Sequence, residues 1–412
     1  MTEEQKNKKK ENWIKKRHLY VSNIARVILW PYVRLKYGVK IERFREQGKR
    51  PYLIISNHQT AFDQFFVGYV FSGAIYFIAS EDIFSMGFIS DLLRWAVNPI
   101  PIKKQSTDIA AVRNCLRVAK EGGTIALFPE GNRTYSGRTV YINPAIVMLA
   151  KRMGLPIAIM NIEGGYGINP RWAEKVRRGR MRAYVKRVIE PEEYRALDDA
   201  SFVSLIEKEL YVDEARVCGE YTGKNLAEYL ERAIYYCPKC NALSTFESDA
   251  DEMECKVCGM KIRYLPTKVL VGVNFDLPYR FVADWYDAQN DFVNSLDLTL
   301  CEDEPIYCEK CNFDEVLVYK FKKEIYKDAD IKLFGNRIEI LSGDDKVIFS
   351  MDDIRAITVC GKNKLNLYFG DKLYQITGGK RFNALKYVNL TFRCKNIKKE
   401  ERGEGYDKFL GL

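Results

Sequence analysis

The sequence predicts an α/β domain followed by two smaller modules, and three observations support this. Short apolar runs alternate with helical patterns over residues 51–195, two Cys-x-x-Cys pairs lie within residues 237–258, and segments of alternating hydrophobicity fill residues 315–376. The first pattern is typical of a mixed sheet flanked by helices, the second of a zinc ribbon, and the third of a small barrel-like β domain. The 412 residues suffice for two or three domains with their own cores.

Changes of pattern divide the chain into six expected segments. They are a basic amphipathic helix at a membrane interface (1–50), the α/β domain (51–195), a helical connector (196–235), the zinc ribbon (236–265), a linker with a second cysteine cluster (266–314) and the β domain with its C-terminal helix (315–412). The longest uncharged run, residues 64–80, has 17 residues, against the ~20 that a spanning helix needs. We interpret it as a helix followed by a strand.

Positive charge is concentrated at the N-terminus. Residues 1–50 hold 15 Lys+Arg against 5 Asp+Glu, an excess of 15 − 5 = 10 that equals the formal charge of the whole chain, +10. Residues 12–37 combine apolar residues at helical spacing with basic ones, and Pro31 is expected to kink or restart this helix. We predict a helix in a membrane interface, with Trp13, Ile24, Val27 and Trp30 entering it. The alternative is an amphipathic helix packed on the next domain.

Residues 51–66 are the stretch from which a catalytic base can be predicted. Residues 52–55 form an expected buried strand, Thr60 and Asp63 an expected capping box, and His58 lies in the turn between strand and helix. In a continuous helix, residues five apart point about 140° from each other. Asp63 therefore reaches His58 only if His58 precedes the helix, where the carboxylate would hold one ring nitrogen. The alternative is a helix cap beside an unrelated histidine.

Polar residues follow three further expected strands. A short strand over residues 98–104 delivers Lys103 and Lys104, an apolar strand from residue 124 runs into a polar loop that ends near residue 138, and the strand over residues 155–162 is followed by Glu-Gly-Gly-Tyr-Gly. Strand ends are where alternating α/β sheets place their functional groups. We expect the site at this edge of the sheet.

Four blocks in this region resemble those of the glycerolipid acyltransferase family, which includes bacterial 1-acylglycerol-3-phosphate acyltransferases. They are Asn57-His58 with Asp63, Ile-Pro-Ile-Lys at residues 100–103, Phe-Pro-Glu-Gly-Asn-Arg at 128–133 and Leu-Pro-Ile-Ala-Ile-Met at 155–160. The resemblance covers roughly residues 50–195. Residues 141–145 and 163–167 depart from the family's usual pattern, which leaves the acceptor open.

The resemblance implies an acyltransferase fold and a reaction without a catalytic cofactor. His58 would be the general base for the acceptor hydroxyl and Asp63 its orienting partner. Glu130, Gly131 and Arg133 would bind the glycerol and phosphate of a lysophospholipid, with Lys103 or Lys104 as a further basic residue. Independently of the family, the planar guanidinium of arginine matches a phosphate with two hydrogen bonds. The acyl donor would be acyl-CoA or an acyl carrier protein. The location is expected at the cytoplasmic face of the cell membrane, because Cys-x-x-Cys pairs in a chain with no visible export signal indicate reduced thiols.

Residues 171–187 hold eight basic residues and one acid. We predict a membrane-facing or phosphate-attracting surface, with a merely solvated edge as the alternative. Nucleic acid is not an expected partner, because aromatic residues are not interleaved with the charges as stacking platforms.

Six of the eleven cysteines fall in Cys-x-x-Cys pairs, in a chain with no visible export signal. Cys237, Cys240, Cys255 and Cys258 predict one structural zinc ion. Cys301, Cys308 and Cys311 form an incomplete second set. Either a fourth ligand comes from elsewhere, with Cys360 and Cys394 as candidates, or these three are ordinary thiols. Six alternating segments over residues 315–376 and a helix over residues 380–394 resemble pleckstrin-homology-like modules at the level of pattern.

Two hypotheses of different class follow. The first is a membrane-associated acyltransferase that transfers a fatty acyl group to a lysophospholipid hydroxyl. The second keeps the fold as a catalytically idle lipid-binding module, in which the ribbon and the β domain recruit a partner. The presence of His58, Asp63, Glu130 and Arg133 favours the first, because an idle site does not need a base.

Overall fold

The computed structural model describes residues 12–103, 108–139, 141–217, 219–318 and 320–405. Its α-helices are α1 (Lys16–Tyr37), α2 (Asp63–Val70), α3 (Phe88–Ala96), α4 (Ile109–Lys120), α5 (Ala145–Met153), α6 (Gly165–Ile168), α7 (Pro191–Arg195), α8 (Asp199–Leu210), α9 (Val282–Ser295) and α10 (Ala384–Glu401). The strands of the first sheet are β1 (Val39–Ile41), β2 (Leu53–Ser56), β3 (Ile75–Ser80), β4 (Ile100–Ile102), β5 (Thr124–Leu127), β6 (Ile157–Glu163) and β7 (Met181–Ile189). The remaining strands are β8 (Phe246–Asp249), β9 (Glu252–Cys255), β10 (Lys261–Tyr264), β11 (Leu270–Gly272), β12 (Tyr307–Val316), β13 (Lys322–Leu333), β14 (Arg337–Ser342), β15 (Asp345–Ser350), β16 (Ile354–Cys360), β17 (Lys364–Phe369) and β18 (Lys372–Gly378).

The N-terminal domain is built on a seven-stranded mixed sheet in the order β1-β7-β6-β2-β5-β3-β4. Strands β2 to β6 run parallel, whereas β7 is antiparallel to β6. Strand β2 is buried along its whole length, as expected for a parallel strand covered by helices on both faces. Two apolar clusters occupy the two faces of the sheet. The predicted α/β class with a mixed, helix-flanked sheet is confirmed, and the carboxyl ends of β2 to β6 share one edge.

Helix α1 runs unbroken through Pro31 and ends at Gly38, whose left-handed conformation caps the helix. The predicted restart at Pro31 is therefore wrong. His18, Val33 and Tyr37 form its buried side. Within the described ranges, the structure contains no helix that is both long enough and apolar enough to cross a membrane.

The predicted helical connector is only partly helical. Helix α8 ends at Leu210, and the chain beyond it is irregular up to a short 3-10 turn at Leu230–Arg232. Tyr221 donates its backbone N–H to Pro266, and Thr222 exchanges backbone hydrogen bonds with Arg178. This segment therefore satisfies its backbone through distant residues, and local periodicity cannot reveal such pairing.

A four-stranded sheet in the order β11-β10-β9-β8 follows, and then a seven-stranded antiparallel sheet in the order β15-β14-β13-β12-β18-β17-β16, on which α10 packs. The two sheets and α9 share one apolar core. That core also contains Tyr135 and Trp172 from the N-terminal domain. The two halves of the molecule are therefore packed together.

Three predictions about this region are wrong. The expected linker over residues 266–314 contains α9 and most of β12, so the β sheet starts at Tyr307. The alternating run over residues 331–341 is not one strand, because the chain turns between β13 and β14. Gly335 lies in this turn, and glycine is required there because a Cβ would lie 1.9 Å from the carbonyl oxygen of Leu298. Helix α10 extends to Glu401, beyond the predicted end.

The second cysteine set does not come together. Cys308 and Cys311 both lie on β12, and their separation of three residues places them on opposite faces, one exposed and one buried. Among the described residues, the one group of His, Cys, Asp and Glu side chains close enough to hold a metal is the set formed by Cys237, Cys240, Cys255 and Cys258. Neither Cys360 nor Cys394 completes a site with the second set.

Candidate active site

The turn between β2 and α2 brings His58 and Asp63 together. His58 Nδ1 lies 2.8 Å from Asp63 Oδ2, and the Asp63 side chain is fully buried. The same carboxylate accepts hydrogen bonds from the backbone N–H of Gln59 and from the backbone and hydroxyl of Thr60. Asp63 is the first residue of α2, so the predicted capping box is only half formed: Thr60 Oγ1 accepts from Phe62 instead. Asp63 thus organises the whole turn around His58.

The Asp63 contact fixes the tautomer of His58. An ionised carboxylate only accepts hydrogen bonds, so the imidazole proton resides on Nδ1 and Nε2 keeps its lone pair. The His58 side chain is 20% exposed, and Nε2 bonds to none of the described residues. Burial lowers the pKa of His58 below its usual 6.5, against the opposing effect of Asp63; the cations Arg133 and Arg171 lower it further. The imidazole is therefore neutral at pH 7 and able to accept a proton.

The loop after β5 folds over His58. Glu130 Oε1 accepts the backbone N–H of His58 at 2.8 Å, and Thr134 donates its own N–H to the carbonyl of His58 at 3.1 Å. The Phe128 ring stacks on the imidazole, with 4.3 Å between ring centroids and 19° between planes. Gly131 has a φ of 71°, a left-handed conformation that favours glycine at this bend. These contacts hold the predicted residues of the two loops at one place.

Arg133 completes this group as a half-buried cation. Its Nη1 atom is buried and has no hydrogen-bond partner among the described residues. Burial, and after it the neighbouring charge of Arg171, lower the pKa of Arg133 to about 10, while Asp63 opposes both effects. At that pKa the guanidinium is still charged at neutral pH. A buried, charged donor without a protein acceptor is suited to an anionic ligand.

The predicted lysines lie farther along the same edge. Lys103 follows β4, is exposed, and donates its backbone N–H to Asp108 Oδ2 at 3.0 Å. Two strands, β3 and β4, lie beyond β5 at this end of the sheet. Lys104 lies outside the described residues. The structure therefore brings together His58, Asp63, Glu130, Gly131 and Arg133.

Two positioning features were not predicted from the sequence. Asn57 bonds through both amide atoms to the backbone of Ile162, with both distances 2.8 Å, and so ties the end of β2 to the end of β6. A Cβ at Gly165 would lie 2.7 Å from Cβ of Gln59, so glycine allows the loop after β6 to pack directly behind His58. Asn57 stands beside His58 in the sequence, which was a usable signal. Gly165 belongs to the Glu-Gly-Gly-Tyr-Gly segment after β6, and the sequence does not show that this segment packs against Gln59.

Two arginines of the predicted basic surface over residues 171–187 are buried, whereas Lys175 and Arg178 between and beside them are exposed. Arg171 is 2% exposed and Arg177 4% exposed, and the Arg177 guanidinium lies 4.9 Å from the Trp172 ring centroid and 4.8 Å from that of Tyr264. These arginines are buried because the four-stranded sheet β8–β11 and the C-terminal sheet pack against them. Lys186 and Arg187, farther along β7, pair instead with Glu209.

The four cysteines Cys237, Cys240, Cys255 and Cys258 form a compact group at two turns. Their sulfur atoms all lie within 4.8 Å of one another. Sγ of Cys237 is 3.7 Å from that of Cys258, and Sγ of Cys240 is 3.8 Å from that of Cys255. Four sulfurs at ~2.3 Å from a tetrahedral zinc ion would lie about 3.8 Å apart. The donor set and its spacing fit zinc.

Comparison with known proteins agrees with this site. Residues 37–163 match the family model described as Acyltransferase. The chain is 22% identical over 175 residues to the chloroplastic 1-acyl-sn-glycerol-3-phosphate acyltransferase BAT2 of Brassica napus, covering 40% of this chain and 48% of the relative. It is 27% identical over 154 residues to a 1-acyl-sn-glycerol-3-phosphate acyltransferase of Limnanthes alba, covering 33% of this chain and 55% of the relative. The chain thus spans about half the length of the curated relatives it matches.

Among solved structures, the crystal structure of the 1-acyl-sn-glycerophosphate (LPA) acyltransferase PlsC from Thermotoga maritima is similar at a TM-score of 0.38 and 20% identity, covering 47% of this chain and 76% of that one. The family match includes β2, the α2 turn and the loop after β5, which carry His58, Asp63, Glu130 and Arg133. Residues 37–163 therefore form an acyltransferase-type domain.

Proposed function

We propose that this protein is a membrane-associated acyltransferase that moves a fatty acyl group from a thioester, acyl-CoA or acyl carrier protein, to the hydroxyl of a lysophospholipid, with 1-acylglycerol-3-phosphate as the favoured acceptor. The observation that carries the proposal is the 2.8 Å contact between His58 and Asp63, beside the half-buried guanidinium of Arg133. A base and an anion site are what transfer to a phosphate-bearing alcohol needs. The curated relatives are named for this acceptor, and the family match covers these residues.

In the proposed step, His58 Nε2 takes the proton of the acceptor hydroxyl as its oxygen attacks the thioester carbonyl. The new C–O bond forms, the C–S bond breaks, and the imidazolium returns its proton to the leaving thiolate. Asp63 holds the ring and stabilises the imidazolium. A thioester is an activated acyl group, so a positioned base worth about 10²–10⁴-fold in rate is a sufficient role for His58.

Membrane association is supported by apolar side chains that the fold leaves exposed on two adjacent helices. They are Leu19, Tyr20, Ile24, Val27, Ile28, Trp30, Tyr32 and Leu35 on α1, and Met86, Phe88, Ile89, Leu92 and Trp95 on or just before α3. The two helices are joined where Arg17 donates to the backbone oxygen of Trp95 at 2.9 Å. Helix α1 has basic residues and no acid along its length. Apolar and basic groups on one helix are typical of an interfacial helix.

A basic cavity lies between the start of α1 and the end of α3. It has a volume of about 540 Å³ and is lined by Lys15, Arg17, Arg94 and Arg117, among others. Each basic residue near an anionic bilayer contributes ~1 kcal/mol to binding. Trp13 does not share the predicted insertion, because its indole N–H donates to the backbone of Asn98 and its backbone to Glu121. The contact with the membrane would be formed by the later residues of α1 and by α3.

For the ribbon we propose one structural zinc ion held by Cys237, Cys240, Cys255 and Cys258. Metal binding to such knuckles contributes on the order of 10–16 kcal/mol to folding. The cysteines belong to the core shared by the C-terminal half, so the metal would stabilise that half as a unit. Elemental analysis should give one zinc per chain; two per chain would require a second site.

The proposed function is tested by incubating the purified protein with acyl-CoA or acyl carrier protein and lysophospholipids of several head groups in detergent or in vesicles. We expect transfer to 1-acylglycerol-3-phosphate, and loss of that transfer in His58→Ala. Lipid binding without turnover of any acceptor would contradict the proposal and favour the idle lipid-binding module. Vesicle co-sedimentation, with and without anionic lipid, tests the membrane contact separately.

A further inference from the structure

One buried side chain joins the acyltransferase-type domain to the C-terminal sheet. Arg171 is 2% exposed, and its Nη1 donates to the backbone oxygen of Arg133 at 2.9 Å. Its Nη2 lies 3.4 Å from Oδ1 of Asn132 and 3.3 Å from the backbone oxygen of Val359, and Nε lies 3.4 Å from that of Gly361. A single guanidinium thus bonds to the loop that carries Arg133, to the end of β16 and to the turn between β16 and β17.

Later residues of the loop after β5 also contact the C-terminal half of the protein. Tyr135 lies in the apolar core of the C-terminal half, with its ring centroid 4.3 Å from the Arg171 guanidinium carbon. Arg138 forms an ion pair with Asp287 on α9. The loop therefore contacts His58 through Glu130 and the C-terminal half through its later residues, so the position of Arg133 depends on both halves of the protein.

The turn between β16 and β17 also carries a cation, Lys362, next to the segment that Arg171 contacts. Lys362 follows Gly361, is 27% exposed, and places Nζ 2.8 Å from Glu174 Oε2. Glu174 is shared, since its other oxygen lies 2.6 Å from Nη1 of the buried Arg232. Burial lowers the pKa of Lys362, Glu174 opposes this, and the charge of Arg133 lowers it further. Arg171 bonds to the backbone oxygens of both Arg133 and Gly361, so the segments that carry Arg133 and Lys362 are neighbours. Two cations on neighbouring segments would both attract one bound anion.

We propose that the acceptor-phosphate site spans both halves of the protein: Arg171 is a positioning residue that fixes Arg133 against the β16–β17 turn, and Lys362 is a second cation for a phosphate monoester. This inference rests on the proposed function. A phosphate monoester carries a charge of about −1.5 to −2 at pH 7, more than one guanidinium neutralises. The C-terminal sheet would then select acceptors that bear a terminal phosphate.

The test compares two acceptors of equal chain length, a short-chain lysophosphatidate and the corresponding monoacylglycerol. For Lys362→Met and Arg171→Lys we expect the KM for lysophosphatidate to rise about tenfold or more, with kcat little changed. Values for monoacylglycerol should stay the same. Arg171→Lys keeps the charge but loses the planar fork, so it tests positioning. The control is Lys372→Met, on the same sheet and paired with Glu315 in a similar way.

Binding of the short-chain lysophosphatidate without donor, measured by calorimetry, separates this inference from the proposed function. If wild type transfers no acyl group, the function is wrong, yet weaker phosphate-dependent binding in Lys362→Met would still support the shared site. If wild type is active and Lys362→Met matches Lys372→Met on both acceptors, the inference is wrong. If the variants weaken transfer equally to lysophosphatidate and to monoacylglycerol, Arg171 has a merely structural role, and the inference is also wrong.

Discussion

The two histidines of the chain occupy opposite environments. His58 lies in a turn at a strand end, with Nδ1 held by a carboxylate and 20% of the side chain exposed. His18 lies on α1, is 1% exposed, and its Nδ1 is 3.1 Å from the hydroxyl of Tyr76. Burial lowers the pKa of both, but the charged neighbours of His18 are Arg17 and Lys15, without a carboxylate. A catalytic base needs an orienting anion and access to substrate, and only His58 of the two has both.

Substituting the two histidines separately should give the largest difference in activity between the two positions. His58→Ala should lower kcat by about 10²–10⁴-fold, because the proton acceptor is lost. His18→Gln can still bond to Tyr76 and should keep near wild-type activity per folded molecule. Circular dichroism should show both variants folded. A His58→Ala protein that retains a tenth of wild-type kcat would contradict the assigned role.

Asp63→Asn should have the next largest effect. An amide can donate to Nδ1, which favours the tautomer with its proton on Nε2 and removes the acceptor from the substrate side. We expect a kcat loss approaching that of His58→Ala, measured on protein whose melting temperature is known. The buried carboxylate also accepts from the backbone of Gln59 and Thr60, so some loss of stability accompanies the change. Lower stability with normal activity per folded molecule would identify Asp63 as a structural residue only.

Arg133→Met should have a smaller and different effect. The variant loses the half-buried cation, so the KM for phosphorylated acceptors should rise about tenfold or more while kcat changes less. Steady-state kinetics with acceptors that have and lack a phosphate measure this difference. Unchanged kinetics on both would place the phosphate elsewhere, with Lys103 as the next residue to substitute.

Sequence reasoning succeeded where a functional group is defined within a few residues. The His58 and Asp63 pair, the strand before it, and both Cys-x-x-Cys turns depend on local spacing, and the structure brings these residues together. It failed where burial is decided by distant parts of the chain. Arg171 looked like a surface charge because the carbonyl groups that accept its hydrogen bonds, at Val359 and Gly361, lie about 190 residues away.

The same reason explains the error in the C-terminal sheet. Alternating hydrophobicity continued from β13 into β14, so the turn between them had no signal except Gly335. That glycine is required by the close approach of the Leu298 carbonyl, which a sequence does not show.

The pH dependence of kcat/KM tests the role of His58 most directly. A base must be unprotonated, and burial keeps the pKa of His58 below 6.5, so activity should be constant near neutral pH and fall only below 6.5. Arg133→Met removes a neighbouring cation that disfavours the imidazolium, so the pKa of His58 should rise. The acid limb of the pH profile should therefore move to higher pH. A wild-type acid limb above pH 6.5, or one that Arg133→Met leaves in place, would contradict the account.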